Sequence, residues 1–217
     1  ARPMHKKLKI GECDALLVVD VQNDFCCGGA LAVPGGEEVV PIINRIASCF
    51  ETVILTQDWH PKNHSCFASS HPGKRPFETM NLAYGEQILW PDHCVQGTPG
   101  ADLHAALDIP GAQLLLRKGY HQEIDSYSVF FENDRRTPTG LAGYLRERRF
   151  RRVWLAGLAL DFCVRYSAED ATRCGFKTVL IEDACRALNT EGSLAATRQS
   201  LTALDVPSVC SKEVYNG

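Results

Sequence analysis

Three residues far apart in the chain, Asp20, Lys118 and Cys163, are of the types that together make a nucleophile. A thiol attacks as its thiolate, and a neighbouring ammonium or a helix N-terminus favours that form. A carboxylate within reach takes the thiol proton and later returns it to a leaving amine. Singly, each has an ordinary structural reading: Asp20 as a turn former, Lys118 as a solvated strand end, Cys163 as helix packing. A second set begins at Asp58-Trp59-His60. Residues two apart in an extended segment point the same way, so this carboxylate and imidazole can face one metal ion. His93 follows in the same long segment, with His64 and His71 nearby. Two imidazoles and a carboxylate with open positions suit catalytic zinc, or iron or manganese. The competing reading is a loop of surface histidines.

Such residues act together only if the fold delivers them to one place. Apolar runs at 15–20 (ALLVVD), 52–58 (TVILTQD), 114–116 with flanks, 153–159, 178–181 and around 206–209 read as strands. Helical patterns lie at about 37–50, 139–148, 162–174 and 191–204. Continuous Val/Ile/Leu strands separated by helices predict an α/β fold, three-layer αβα, with a mainly parallel six-stranded sheet. Ligands in such sheets bind beyond the carboxyl ends of the strands. Asp20 ends the first strand, Asp58 and His60 follow the second, Lys118 ends the third and Cys163 follows the fourth. Residues 59–100, rich in Pro, Gly, His and Trp, form the one long irregular segment, and a loop of that length is expected to be functional.

The chain has 217 residues, 45% of them apolar and 23% charged, the balance of a soluble globular protein. One domain over 1–217 is expected, and disordered and fibrous classes are excluded. A formal charge of -3 leaves no footprint for nucleic acid. The cluster Arg146, Arg148, Arg149, Arg151 and Arg152 reads as a solvated face. The ten cysteines include the adjacent Cys26 and Cys27 but no C-x-x-C pair, so they do not form a disulfide framework. Residues 1–13 are polar and basic without an apolar signal core, and no apolar run is long enough to span a bilayer. The expectation is a reduced, cytoplasmic setting with no membrane partner.

The segments VDVQNDFCCGGAL (19–31), TQDWHPKNHSCF (56–67), WPDHCVQGTPGA (90–101), KGYHQEIDSYSVF (118–130) and AGLALDFCV (156–164) resemble, in order, those of the isochorismatase-like cysteine hydrolase superfamily. The similarity runs from Ala15 to about Val209, and the DWHP and WPxHC elements resemble its nicotinamidase branch. The resemblance implies the isochorismatase-like hydrolase fold and hydrolysis of nicotinamide to nicotinate and ammonia through a Cys thioester, in NAD salvage, with pyrazinamide as a second substrate. It assigns Asp20, Lys118 and Cys163 to the triad and Asp58, His60 and His93 to a metal, usually zinc. It implies a cis peptide between Leu158 and Ala159, with the amides of Ala159 and Cys163 as the oxyanion hole. It also places Phe25, Trp90, Tyr127 and Phe162 around the substrate ring. Leu160 stands where many relatives carry Thr, and relatives differ on a ligand at the His64 position. Two alternatives remain open: another hydrolase of the superfamily, or a non-catalytic zinc-binding scaffold. A homo-oligomer is also left open.

Overall fold

The computed structural model describes residues 8–216. The polar N-terminal stretch read from the sequence falls in part on residues 1–7, outside that range. In chain order the strands are β1 (Lys9–Ile10), β2 (Asp14–Val19), β3 (Val53–Asp58), β4 (Thr79–Leu82), β5 (Gly85–Ile88), β6 (Leu114–Lys118), β7 (Arg152–Leu158), β8 (Lys177–Arg186), β9 (Ser208–Val209) and β10 (Tyr215–Asn216). The helices are α1 (Val39–Ala47), α2 (Leu141–Glu147), α3 (Arg165–Arg173) and α4 (Ser193–Ala203). The main sheet has six strands in the order β6-β3-β2-β7-β8-β9, every neighbouring pair parallel.

Why the sheet is covered on both faces is visible in β2, whose six residues are all buried. Successive side chains of a strand point to opposite faces. Leu16 and Val18 join a core with Val39, Ile43 and Ile46 of α1. Ala15, Leu17 and Val19 join a second core with Leu141 of α2, Ala168 of α3 and Leu201 of α4. One helix therefore closes one face and three close the other, giving three αβα layers. In α1 the buried Val39, Val40, Ile43, Ile46 and Ala47 recur at helical spacing. Pro41 is tolerated because it falls in the first turn, where backbone N–H groups have no intrahelical acceptor.

From β2 the chain winds outward through β3 to β6, then returns to the other side of β2 with β7. The direction reverses between β2 and β7, which makes that crevice the topological switch point. Gly157 of β7 has φ +125, and a Cβ there would lie 2.1 Å from the Val19 carbonyl oxygen, so only glycine lets the two central strands approach this closely.

The segment 59–100 is more ordered than its composition implies. It carries the antiparallel hairpin β4–β5 and is stitched by bridges pairing His60 with Val95 and Phe67 with Trp90. The hairpin strands are four residues each; TMNL alternates polar and apolar but GEQI does not. So short a pattern does not stand out from the surrounding loop. No helix among the described residues is long and apolar enough to cross a membrane.

Candidate active site

Asp20 follows β2 directly, with φ 48. Thr56 of β3 fixes its carboxylate: the hydroxyl donates to Oδ1 at 2.7 Å and accepts the Asp20 N–H at 3.2 Å. Asp58 closes β3 and is clamped by the Gln22 amide. That side chain donates to the Asp58 carbonyl and accepts its N–H, each at 2.8 Å. Lys118 ends β6 with 1% of its surface exposed. An ammonium so buried must be paired. Its Nζ lies 2.9 Å from Asp20 Oδ2 and 2.5 Å from Asp58 Oδ1, donates to the Ser126 carbonyl at 2.6 Å, and sits 3.5 Å from Cys163 Sγ.

Cys163 lies in a wide π turn, Leu160–Val164, between β7 and α3. The Val164 N–H reaches five residues back to the Ala159 carbonyl at 3.1 Å. The Leu158–Ala159 peptide that precedes the turn is cis. The expected acidifying influence of Lys118 on the thiol is present, but it is not the largest one. Burial pushes the Cys163 thiol well above the ordinary cysteine range, and the Lys118 ammonium offsets only part of this. Burial also raises the Asp20 carboxyl, again with Lys118 pulling the other way. For Asp58, burial opposes ionisation, but Lys118 and then His60 outweigh it and hold the carboxyl below the usual range. Burial thus raises both the thiol and the Asp20 carboxyl beside it, and Lys118 opposes both shifts.

At the other end of Asp58, two imidazoles are oriented by carbonyls. His60 Nδ1 donates to the Gly119 carbonyl at 2.8 Å and His93 Nδ1 to the Pro91 carbonyl at 2.7 Å. Each ring is thereby left with its Nε2 lone pair free. These nitrogens lie 3.5 Å and 3.9 Å from Asp58 Oδ2, and one donor atom from each of the three residues falls within 4.8 Å of the others. His60 Nε2 is buried with no hydrogen-bond partner among the described residues. A buried lone pair without a donor is costly. A divalent cation would satisfy it together with the carboxylate, so the set fits a metal. Gly119 makes the arrangement sterically possible: it has φ +70, and a Cβ there would lie 2.6 Å from His60 Cε1.

His64 is committed elsewhere. Its Nδ1 accepts the Cys66 N–H at 3.0 Å, so Nε2 carries the proton and faces the carbonyls of His121 at 2.8 Å and Ile124 at 3.1 Å. It therefore packs against His60, ring centroids 4.5 Å apart, without a lone pair to offer. His71 turns to the Ser65 carbonyl at 2.7 Å.

Between the two ends lies a narrow pocket lined by Phe25, Trp90, Tyr127, Phe162, Ala159, Cys163, Asp58 and His93. All four aromatic residues proposed from the sequence are there. Trp90 meets Phe162 edge-on at 5.1 Å, and the Tyr127 hydroxyl accepts from Trp90 Nε1 at 3.2 Å. A larger polar hollow near Glu132 and Arg173 lies beside Tyr127, away from the thiol. Sequence reasoning missed Leu31, Leu188 and Asp125, which also line the pocket. Asp125 Oδ1 is 3.8 Å from His60 Nε2, a second carboxylate beside the metal set. It missed the supports as well: Gln22, and Asp24, whose Oδ2 accepts the Cys94 N–H at 2.8 Å. Their signal was the polar residues inside VQNDF, which carry no periodicity. Leu160, the departure from the family pattern, is buried in the core shared with α3 and α4, not in the pocket.

The isochorismatase domain model matches residues 14–205. The chain belongs to the isochorismatase family. It is 54% identical over 200 residues to the nicotinamidase of Acinetobacter baylyi, covering 92% of this chain and 94% of that protein. Among solved structures, the nicotinamidase/pyrazinamidase of Acinetobacter baumanii superposes with TM-score 0.93 at 53% identity, covering 94% and 99% of the two chains. PnC1 of L. infantum, in complex with nicotinate, gives 0.85 at 37% identity over 97% and 99%. The pyrazinamidase of Pyrococcus horikoshii, in complex with zinc, gives 0.74 at 31% identity over 91% and 98%.

Proposed function

We propose that this chain, as one domain over 1–217, is a nicotinamidase that hydrolyses nicotinamide to nicotinate and ammonia, and that it also accepts pyrazinamide. The observation that carries the reading is the Lys118 ammonium, 2.9 Å from Asp20, 2.5 Å from Asp58 and 3.5 Å from Cys163, at the edge of a pocket bounded elsewhere by Asp58 and His93. Relatives named as nicotinamidases, and PnC1 of L. infantum in complex with nicotinate, support it.

In this reading Asp20 takes the Cys163 proton as the sulfur attacks the amide carbon. The amides of Ala159 and Cys163 receive the oxygen as it gains charge, a contact worth about 3–4 kcal/mol in comparable sites. Asp20 returns the proton to the departing ammonia, and then activates the water that cleaves the thioester. Lys118 stays charged throughout. Burial works against its charge, but Asp20 and Asp58 more than offset this. Phe25, Trp90, Tyr127 and Phe162 enclose the ring and exclude water.

Asp58, His60 and His93 would hold the metal, and when bound it gives the pyridine nitrogen a point of attachment. Zinc is our assignment: the nitrogen-rich donor set and the zinc-containing Pyrococcus relative support it over iron or manganese. Ten unpaired cysteines support a reducing, cytoplasmic setting, where the nicotinate would feed NAD salvage. The test is ammonia release from nicotinamide by purified protein, with metal content measured on the same sample. Release from carbamoyl amides but not from nicotinamide would move the chain to another branch of the family. No release from either, with metal bound, would make it a scaffold.

A further inference from the structure

Two residues before the proposed nucleophile, Asp161 is 1% exposed, and its carboxylate shares no partner with Lys118. Oδ1 accepts the Leu188 N–H at 3.0 Å, and Oδ2 accepts the Asn189 N–H at 2.7 Å and the Ser193 hydroxyl at 2.5 Å. Ser193 in turn accepts the Thr190 N–H at 2.8 Å. These contacts hold the segment 187–192, which joins β8 to α4 and has no regular structure of its own. Within it Asn189 and Glu191 adopt φ of 55 and 51. A backbone in the left-handed region at non-glycine residues needs its surroundings to keep it there. At the base of the segment Arg186 donates to Glu38 Oε2 at 3.2 Å. The side chain this segment delivers is Leu188, which faces the pocket together with Cys163.

We propose that Asp161 is a positioning residue that sets the Leu188 wall of the pocket and so governs how tightly the amide substrate is held. Charge-assisted bonds to two consecutive N–H groups fix backbone, not only a side chain, and they are the stronger class of hydrogen bond. With these three contacts, the carboxylate acts through Leu188 and takes no part in bond making. The inference rests on the reading of the pocket as the amide-substrate site.

The experiment is a double-mutant cycle on the metal-loaded protein with Asp161→Asn, Leu188→Ala and the pair. It reads kcat and KM for nicotinamide, and separately the rate at which iodoacetamide alkylates Cys163 without substrate. Asp161→Asn is expected to raise KM about tenfold and speed alkylation several-fold, with kcat within about twofold. The pair should be no worse than the more severe single variant, because both changes undo the same wall. Multiplying effects, a fall in kcat at unchanged KM, or no change in KM and alkylation would overturn the proposal. Should Asp161→Asn fail to fold, Ser193→Ala keeps the carboxylate and removes one donor. It should raise KM about threefold, and an unchanged KM and alkylation rate would refute the idea. If the unaltered protein releases no ammonia from nicotinamide, the proposed function fails, while the alkylation cycle still decides the role of Asp161.

Discussion

Asp58 divides the site into two halves that the chain treats differently. Towards Asp20 and Cys163, Oδ1 meets the Lys118 ammonium, which two carboxylates and the Ser126 carbonyl surround. Towards His60 and His93, Oδ2 meets two nitrogens whose lone pairs have no proton to accept, and His60 Nε2 is left without a partner. The proposed nucleophile half carries its own counter-charge in Lys118. The proposed metal half leaves a buried nitrogen that a cation would satisfy. The difference also follows the scaffold: Asp20, Lys118 and Cys163 come from ends of the central sheet, whereas His60 and His93 sit in the folded insertion between β3 and β6.

The sharpest way to separate the halves is Cys163→Ala. It should cut turnover by at least about a thousandfold and leave metal content unchanged. Retained activity, with fast alkylation mapped to Cys26, Cys66 or Cys94, would break the assignment. Asp58→Asn strikes both halves at once. Metal should be lost, turnover should fall at least about a hundredfold, and Lys118, left with Asp20 as its one carboxylate partner, should cost about 2 kcal/mol in urea unfolding. Loss of metal with unchanged stability would show that Asp58 does not serve both sides. Substrate analogues test the metal half alone. Benzamide lacks the ring nitrogen, so its kcat/KM should be at least about a hundredfold below that of nicotinamide. Picolinamide, with its nitrogen ortho, should fail similarly, while pyrazinamide should turn over; equal rates for benzamide and nicotinamide would mean that the ring is held by apolar contact.

Two smaller changes refine the picture. Gly119→Ala pushes on His60 without touching the nucleophile, so metal affinity should drop about tenfold while alkylation of Cys163 keeps its rate. A change in both would mean that the halves are mechanically coupled. Leu160→Thr restores the residue many relatives carry. Because Leu160 packs into the core of α3 and α4, the substitution should destabilise the fold by about 1–3 kcal/mol and leave kcat/KM within about twofold. A gain in kcat/KM would place that position in the site after all.

The six strands and four helices were legible in the sequence because buried parallel strands must be continuously apolar and amphipathic helices must repeat at their own period. That reading also put Asp20, Asp58, Lys118 and Cys163 at one end of the sheet, since reactive residues followed the apolar runs directly. The hairpin β4–β5 stayed hidden because its strands are four residues each, too short for a pattern to stand out from the loop around them. Tertiary structure alone decided which histidines are free. His60, His64 and His93 are the same residue type in one segment, but whether a ring offers a lone pair depends on which carbonyls and amides surround it. It also decided the surroundings of the Cys163 thiol, because burial, the largest influence on it, is a property of the packed molecule. Asp161 is the same lesson at longer range: its partners, Leu188, Asn189 and Ser193, lie 27 to 32 residues away in the chain, where no local pattern connects them.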